Sequence, residues 1–277
     1  MTVKIYAFAD EADKSLDGQI NALLRNGLAG VELRNVDGQN TSKMTLETVR
    51  EIKKKLDDNG LNVYAIGSPL GKITIQDDFA PHMEDFKHTI EMAHILGAEN
   101  IRMFSFFLPK EEDPALYRNA VMDRLGQFVE NADGVTLCHE NEKGIYGDVV
   151  DRCLDILQTY PQIKAVFDPA NFVQCQQETL SAWQSLKNYT RYIHIKDSLP
   201  DGTVVKAGDG AGNIPYIVKD YLEMGGTCMT LEPHLTVFDG LAALEREGDT
   251  TKIQHAYSDA NTAFDVACNA LKEILCK

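Results

Sequence analysis

Short apolar runs alternate along the chain with longer stretches in which apolar positions recur every three or four residues. The short runs predict strands over residues 3–8, 30–34, 61–67, 100–104, 135–140, 163–168, 191–196 and 227–232. The periodic stretches predict helices over residues 15–26, 46–59, 81–96, 114–131, 147–160, 178–188, 214–224 and 259–275. Gly27, Gly60 and Gly97 follow the first three helices as stop signals, and Pro114 opens the fourth, where its missing N–H costs no intrahelical bond. Eight strand–helix units in strict alternation imply a parallel sheet, and eight is the number that closes a (β/α)8 TIM barrel. A doubly wound open sheet is the structural alternative. No linker or low-complexity tract divides the chain, so residues 1–277 read as a single domain, close to the ~250 residues of one such barrel. The longest irregular stretch, 235–257, is placed to cover the barrel mouth.

Composition narrows the partners. Lys and Arg number 27 against 42 Asp and Glu, a formal charge of −15, which opposes broad attraction to nucleic acid or to an anionic membrane. No apolar run approaches the ~20 residues of a membrane span, and the first residues lack the apolar core of a secretion signal. The expected compartment is the cytoplasm. Six scattered cysteines without a Cys-x-x-Cys pair signal neither a thiolate metal site nor a disulfide framework, and read as small buried residues.

Four of the predicted strands end on residue types that ligate metals: Glu140, Asp168, His194 and Glu232. In a barrel, the C-terminal strand ends share one rim, so four consecutive strands deliver these side chains to one place. Carboxylates with one imidazole and no thiolate suit a single divalent ion, Mn²⁺, Mg²⁺, Co²⁺ or Zn²⁺. Taken singly, each residue has a plainer reading. Glu140 and Asp168 can cap helices, His194 can be an interior imidazole, and Glu232 can precede the turn at Pro233. Because i and i+2 share a strand face, Lys196 should follow His194 inward, His234 should follow Glu232, and His139 should point away.

The segments His139-Glu140-Asn141-Glu142-Lys143-Gly144-Ile145-Tyr146-Gly147-Asp148, Phe167-Asp168-Pro169-Ala170-Asn171-Phe172, His194-Ile195-Lys196-Asp197 and Leu231-Glu232-Pro233-His234-Leu235 resemble the sugar phosphate isomerase/epimerase family of the xylose isomerase-like TIM-barrel superfamily. The resemblance runs over nearly the whole chain and includes Ser68-Pro69-Leu70-Gly71-Lys72 after the third strand. It implies that Glu140, Asp168, His194 and Glu232 hold one divalent ion and that Glu140 and Glu232 also act as acid and base. Ketose epimerases, sugar isomerases, dehydratases and an abasic-site endonuclease belong to the wider superfamily, and dimers or tetramers are common in it, so a homo-oligomer is open.

The expected activity is that of a metal-dependent isomerase or epimerase of a small keto sugar or sugar phosphate, working by proton transfer through a metal-stabilised ene-diolate. Return of the proton to the opposite face of one carbon would be epimerisation, return to the neighbouring carbon isomerisation, and loss of a β-hydroxyl dehydration. Lys196, Arg34, Ser68, Lys72, His234 and Lys206 are the substrate-binding candidates. Against that, Lys196 can pair with Asp197 or Glu232, Arg34 with Glu32 on its own strand face, and Ser68, Lys72 and Lys206 can be ordinary loop residues. Gly208-Asp209-Gly210-Ala211-Gly212 is read as a turn whose backbone N–H groups are available to an anion. Nuclease activity is disfavoured, since His82, His88 and His94 fall in a predicted helix and the chain is acidic. A dehydratase and a non-catalytic sugar-binding protein are the alternatives; a nucleophilic hydrolase is weaker, there being no Gly-x-Ser-x-Gly.

Overall fold

The computed structural model describes residues 3–238, 241, 251–253 and 257–276. Eight parallel strands close into a barrel: β1 (Lys4–Ala7), β2 (Gly30–Leu33), β3 (Asn62–Gly67), β4 (Asn100–Met103), β5 (Thr136–Glu140), β6 (Lys164–Phe167), β7 (Thr190–Ile195) and β8 (Cys228–Leu231). The seam is the pairing of the first strand with the last, in register from Lys4 opposite Cys228 to Ala7 opposite Leu231. Among the described residues the helices are α1 (Leu16–Arg25), α2 (Leu46–Asp58), α3 (Phe79–Leu96), α4 (Arg118–Glu130), α5 (Val150–Thr159), α6 (Pro169–Gln174), α7 (Thr179–Leu186), α8 (Ile214–Glu223) and α9 (Ala260–Leu275).

Local chemistry sets where these elements begin. Side-chain oxygens of Ser15, Thr45, Asp78, Asp168, Glu178 and Asp259 accept backbone N–H bonds at helix starts, satisfying donors that the helix itself leaves open. Gly97 ends α3 with φ of 67°, a left-handed conformation that costs glycine little. The predicted fourth helix divides: Pro114–Tyr117 is a 3-10 turn capped by Asp113, and regular helix starts at Arg118.

The strand period of two sorts side chains into two cores. Val31, Leu33, Ile101, Met103, Leu137, Phe167, Ile193, Met229 and Leu231 join the large cluster shared with the helices. Tyr6, Tyr64, Cys138, Val166, Tyr192 and Cys228 form a smaller one with Ala65. Tyr6 stacks on Tyr64, and Tyr64 meets Tyr192 edge-on. Two residues further along the same strand faces, the apolar layer gives way to Glu140, His194 and Thr230. The barrel is therefore plugged by aromatic bulk at one level and polar at the next, toward its C-terminal mouth.

Three small elements escaped the sequence pattern. The ribbon Asn35–Val36 with Gln39–Asn40 follows β2, the ribbon Asp197–Ser198 with Val204–Val205 follows β7, and the short α6 follows β6. Within 235–257, Leu241, Thr251 and Lys252 line the cavity described below, and Ile253 bridges to Val204. Residues 239–240, 242–250 and 254–256 of that stretch lie outside those described. No helix of the described residues is long and apolar enough to cross a membrane.

Candidate metal centre

Glu140 is the last residue of β5, and Asp168 and Glu232 directly follow β6 and β8; His194 is the penultimate residue of β7. Each offers one ligand atom, and these atoms lie within 4.8 Å of one another, all four residues being buried. His194 Nδ1 is 3.1 Å from Glu140 Oε1 and 3.2 Å from Glu232 Oε2. Since β6 and β7 lie between β5 and β8 in the barrel order, the two glutamates reach the cluster from its two flanks.

The donor set passes a test of fit for a divalent ion. Asp168 Oδ1 caps α6 by accepting the Asn171 N–H, while its Oδ2 is buried without an aligned hydrogen-bond donor, although Lys196 Nζ sits 2.8 Å away. One carboxylate thus serves both readings, helix cap through one oxygen and candidate ligand through the other. Three carboxylates and an imidazole, without thiolate, form the oxygen-rich set that such ions prefer.

Cations and amides hold the acids together. Arg102 Nε lies 3.1 Å from Glu140 Oε2, and Asn171 Nδ2 donates to Glu140 Oε1 at 3.2 Å. Arg34, on the loop after β2, donates through Nη1 to Glu232 Oε1 at 3.1 Å, through Nε and Nη2 to Asp10, and through Nη2 to Glu11. Its guanidinium also sits 4.2 Å above the Phe8 ring, a cation–π contact. Lys196 bridges Asp168 and Glu232.

Electrostatics follows from this packing. Burial and the charge of Glu232 would raise Glu140, but His194 and Arg102 outweigh them and hold it at about 2. Burial, reinforced by Glu140 and Glu232 and opposed by Lys196, lifts Asp168 to about 7. Burial would lower His194, yet Glu140 and Glu32 raise it well above the ordinary histidine range. Burial lifts Glu11 to about 8 against the pull of Arg34.

Lys196, Arg34, Lys72 and His234 line a cavity of about 370 Å³ that opens above Glu140 and Glu232. Lys72 pairs with Glu142 at 3.1 Å and lies 4.4 Å above the Phe104 ring. His234 follows Glu232 inward and adopts φ of 47°, its backbone N–H donating to Glu11 Oε2 at 2.7 Å. Glu11, Glu232 and His234 form a second group of clustered ligand atoms, but Arg34 already spans Glu11 and Glu232 and fills that position with its own charge. His139 points away, as the strand period requires, onto the Ser105 hydroxyl.

Several expectations need correction. Ser68 does not line the cavity: it is buried, donates to the Arg102 carbonyl at 2.6 Å and accepts from Leu70 N–H, so it braces the turn after β3. Lys206 pairs with Asp209 beside a separate depression lined by Val204, Leu235 and Tyr257. Arg34 is not paired with Glu32. The longer guanidinium reaches the loop after β1, and the Glu32 carboxylate instead meets Tyr192 and His194 across the barrel. Of the two partners expected for Lys196, Glu232 is found and Asp197 is not, the second partner being Asp168. The glycine-rich turn does present its N–H groups to an anion, and that anion is the chain's own Asp197, bonded by Gly208, Gly210 and Gly212 at 2.8–3.1 Å.

Arg102, Asn171, Glu32, Asp10 and Glu11 belong to the site and were not foreseen. For Arg102 and Glu32 a signal existed, a charge inside an otherwise apolar strand.

A closed (β/α)8 barrel thus carries, at its strand ends, a donor set that could hold a divalent ion. The model of the xylose isomerase-like TIM barrel family matches residues 20–249, and the chain belongs to that family. Among curated proteins, none matches the chain in sequence. Among solved structures, L-ribulose 3-epimerase is 17% identical with a TM-score of 0.75, over 99% of this chain and 95% of that one. The IOLI protein with a binding zinc atom is 14% identical with a TM-score of 0.74, over 99% and 98%. The probable 3-DHS dehydratase AsbF of Bacillus anthracis is 17% identical with a TM-score of 0.73, over 98% and 99%. At these identities the likeness shows the fold.

Proposed function

We propose that the chain works as one (β/α)8 unit that isomerises or epimerises a small keto sugar or sugar phosphate, with a divalent ion held by Glu140, Asp168, His194 and Glu232. The observation that carries this reading is the placement of Glu140 and Glu232 on opposite flanks of the ligand cluster, both facing the same cavity. A bound ion would polarise a substrate carbonyl and offset the negative charge of proton removal. Without such an ion the three carboxylates rely on Lys196, Arg34 and Arg102, and Arg34 divides its charge among Glu232, Asp10 and Glu11.

One glutamate takes the proton of a C–H bond beside the carbonyl, and the other returns a proton. Delivery to the opposite face of the same carbon inverts it, and the opposed approach of the two side chains favours this outcome. Lys196 Nζ, held between Asp168 and Glu232, is placed to donate to a substrate hydroxyl or to the developing oxyanion. Cavity size matches a small ligand.

The test is proton–deuterium exchange followed by NMR in D₂O, with metal-loaded protein and a panel of ketoses and their phosphates. Exchange that disappears in both Glu140→Gln and Glu232→Gln is expected, and the configuration of the product separates epimerase from isomerase. Stoichiometric ion binding with no exchange across the panel would sink the proton-transfer reading in favour of a dehydratase or a sugar-binding protein.

A further inference from the structure

His194 has two ring nitrogens, and only one of them faces the cluster. Nδ1 looks toward Glu140 and Glu232, while Nε2 lies 3.1 Å from Glu32 Oε2. The other oxygen of Glu32, Oε1, accepts the Tyr192 hydroxyl at 2.9 Å. Glu32 is on β2 and both Tyr192 and His194 are on β7, so the contacts cross the barrel interior. All three residues are fully buried. A carboxylate buried there can only accept, and each oxygen has one hydrogen-bonded partner, with Arg102 Nε a further neighbour 3.9 Å from Oε1. The Nε2 position is thereby committed to carrying a proton, and the lone pair of the neutral ring is left on Nδ1.

We infer that Glu32 is a positioning residue for the metal centre: anchored by Tyr192, it fixes His194 in the tautomer whose Nδ1 lone pair points at Glu140, Asp168 and Glu232. This rests on the reading of those four residues as a metal centre. Hydrogen bonding of a ligand histidine's second nitrogen to a carboxylate is a general way of setting ring orientation and basicity. The competing explanation is packing. Phe8 meets the His194 ring edge-on at 5.3 Å and Tyr192 at 5.5 Å, so the ring's plane is confined by neighbours even without Glu32. Packing restrains the plane but not the site of the proton.

Glu32→Gln separates the two. An amide that keeps its oxygen on Tyr192 turns its NH2 toward Nε2, which demands a proton on Nδ1, the wrong place for a ligand. Affinity for Mn²⁺ or Zn²⁺, measured by competition with a chelating dye, should fall about 10- to 100-fold, and ¹⁵N-detected histidine spectra of the variant, recorded without metal at a pH high enough for the ring to be neutral, should show the His194 proton moved to Nδ1. The same substitution in a His194→Ala background should cost nothing further, because Glu32 acts through the ring. Glu32→Asp, which keeps the acceptor, should recover part of the affinity. If Glu32→Gln binds the ion as wild type does, the inference falls while the metal reading stands. A loss that persists at full size in the His194→Ala background also overturns it, since the effect would then be that of charge alone. A wild-type protein that takes up neither ion overturns both.

Discussion

At the scale of single residues, the site is a balance of buried charges. Burial would lower His194, but Glu140 and Glu32 outweigh it and raise the ring above its ordinary value of 6.5, favouring a charged form that carries a second proton on Nδ1 beside the one Glu32 holds on Nε2. That charge stabilises the metal-free fold fully below 6.5, and the contribution is lost as pH rises through the raised folded value. A dication held there would need the Nδ1 lone pair in place of that second proton. Titration calorimetry at pH 7 in buffers of different ionisation heat should therefore show net proton release on ion binding, from His194 and from the Asp168 carboxyl that burial lifts to about 7, and affinity should weaken as pH falls. Release near zero would mean that both groups enter the reaction already deprotonated. The four candidate ligands were legible in the sequence because each closes a strand, where period and topology fix direction. Asp10 and Glu11 were not, and Arg102 showed only as a charge inside an apolar strand. Arg34 meets Glu232 across 198 residues and His194 meets Glu32 across 162, separations on which strand periodicity is silent.

Among the elements, the turn after β7 shows how a loop at the mouth is shaped before any substrate arrives. Gly208, Gly210 and Gly212 place their N–H groups around the Asp197 carboxylate, which also accepts from Ser198 N–H. A methyl group at Gly210 would come within 2.3 Å of Asp197 Oδ1, and one at Gly212 within 2.6 Å. Gly210→Ala should destabilise the fold by ~1–3 kcal/mol through overpacking, and Asp197→Ala by a similar ~1–3 kcal/mol through unpaired buried donors. Chemical denaturation of each variant checks both; stability within ~0.5 kcal/mol of wild type would show that the turn tolerates its own rearrangement. Sequence patterning located every barrel strand and the helices that follow, because runs and caps are local. The two ribbons have strands of two residues each, too short for alternation to register, and α6 was hidden by Asp168, whose capping and ligating readings compete for the same letter.

For the molecule as a whole, ion binding should be visible as stability. A ligand of the folded state alone, at 100 times its dissociation constant, adds about 2.7 kcal/mol, which for a chain of this length is a rise of several degrees in Tm. Mn²⁺ or Zn²⁺ should produce that rise in wild type and not in His194→Ala, as scanning calorimetry can show; equal rises in both would place the ion elsewhere. The seam of the barrel carries one more consequence. Lys4–Ala7 pairs with Cys228–Leu231, Glu11 holds the backbone of His234, and Glu232 is both the last ligand in chain order and a neighbour of that bond. During synthesis, then, only three of the four candidate ligands are available until residue 232 has left the ribosome. A nascent chain arrested before that point would lack Glu232 and the closing strand, so ion uptake by the four candidate ligands would report that the barrel has shut.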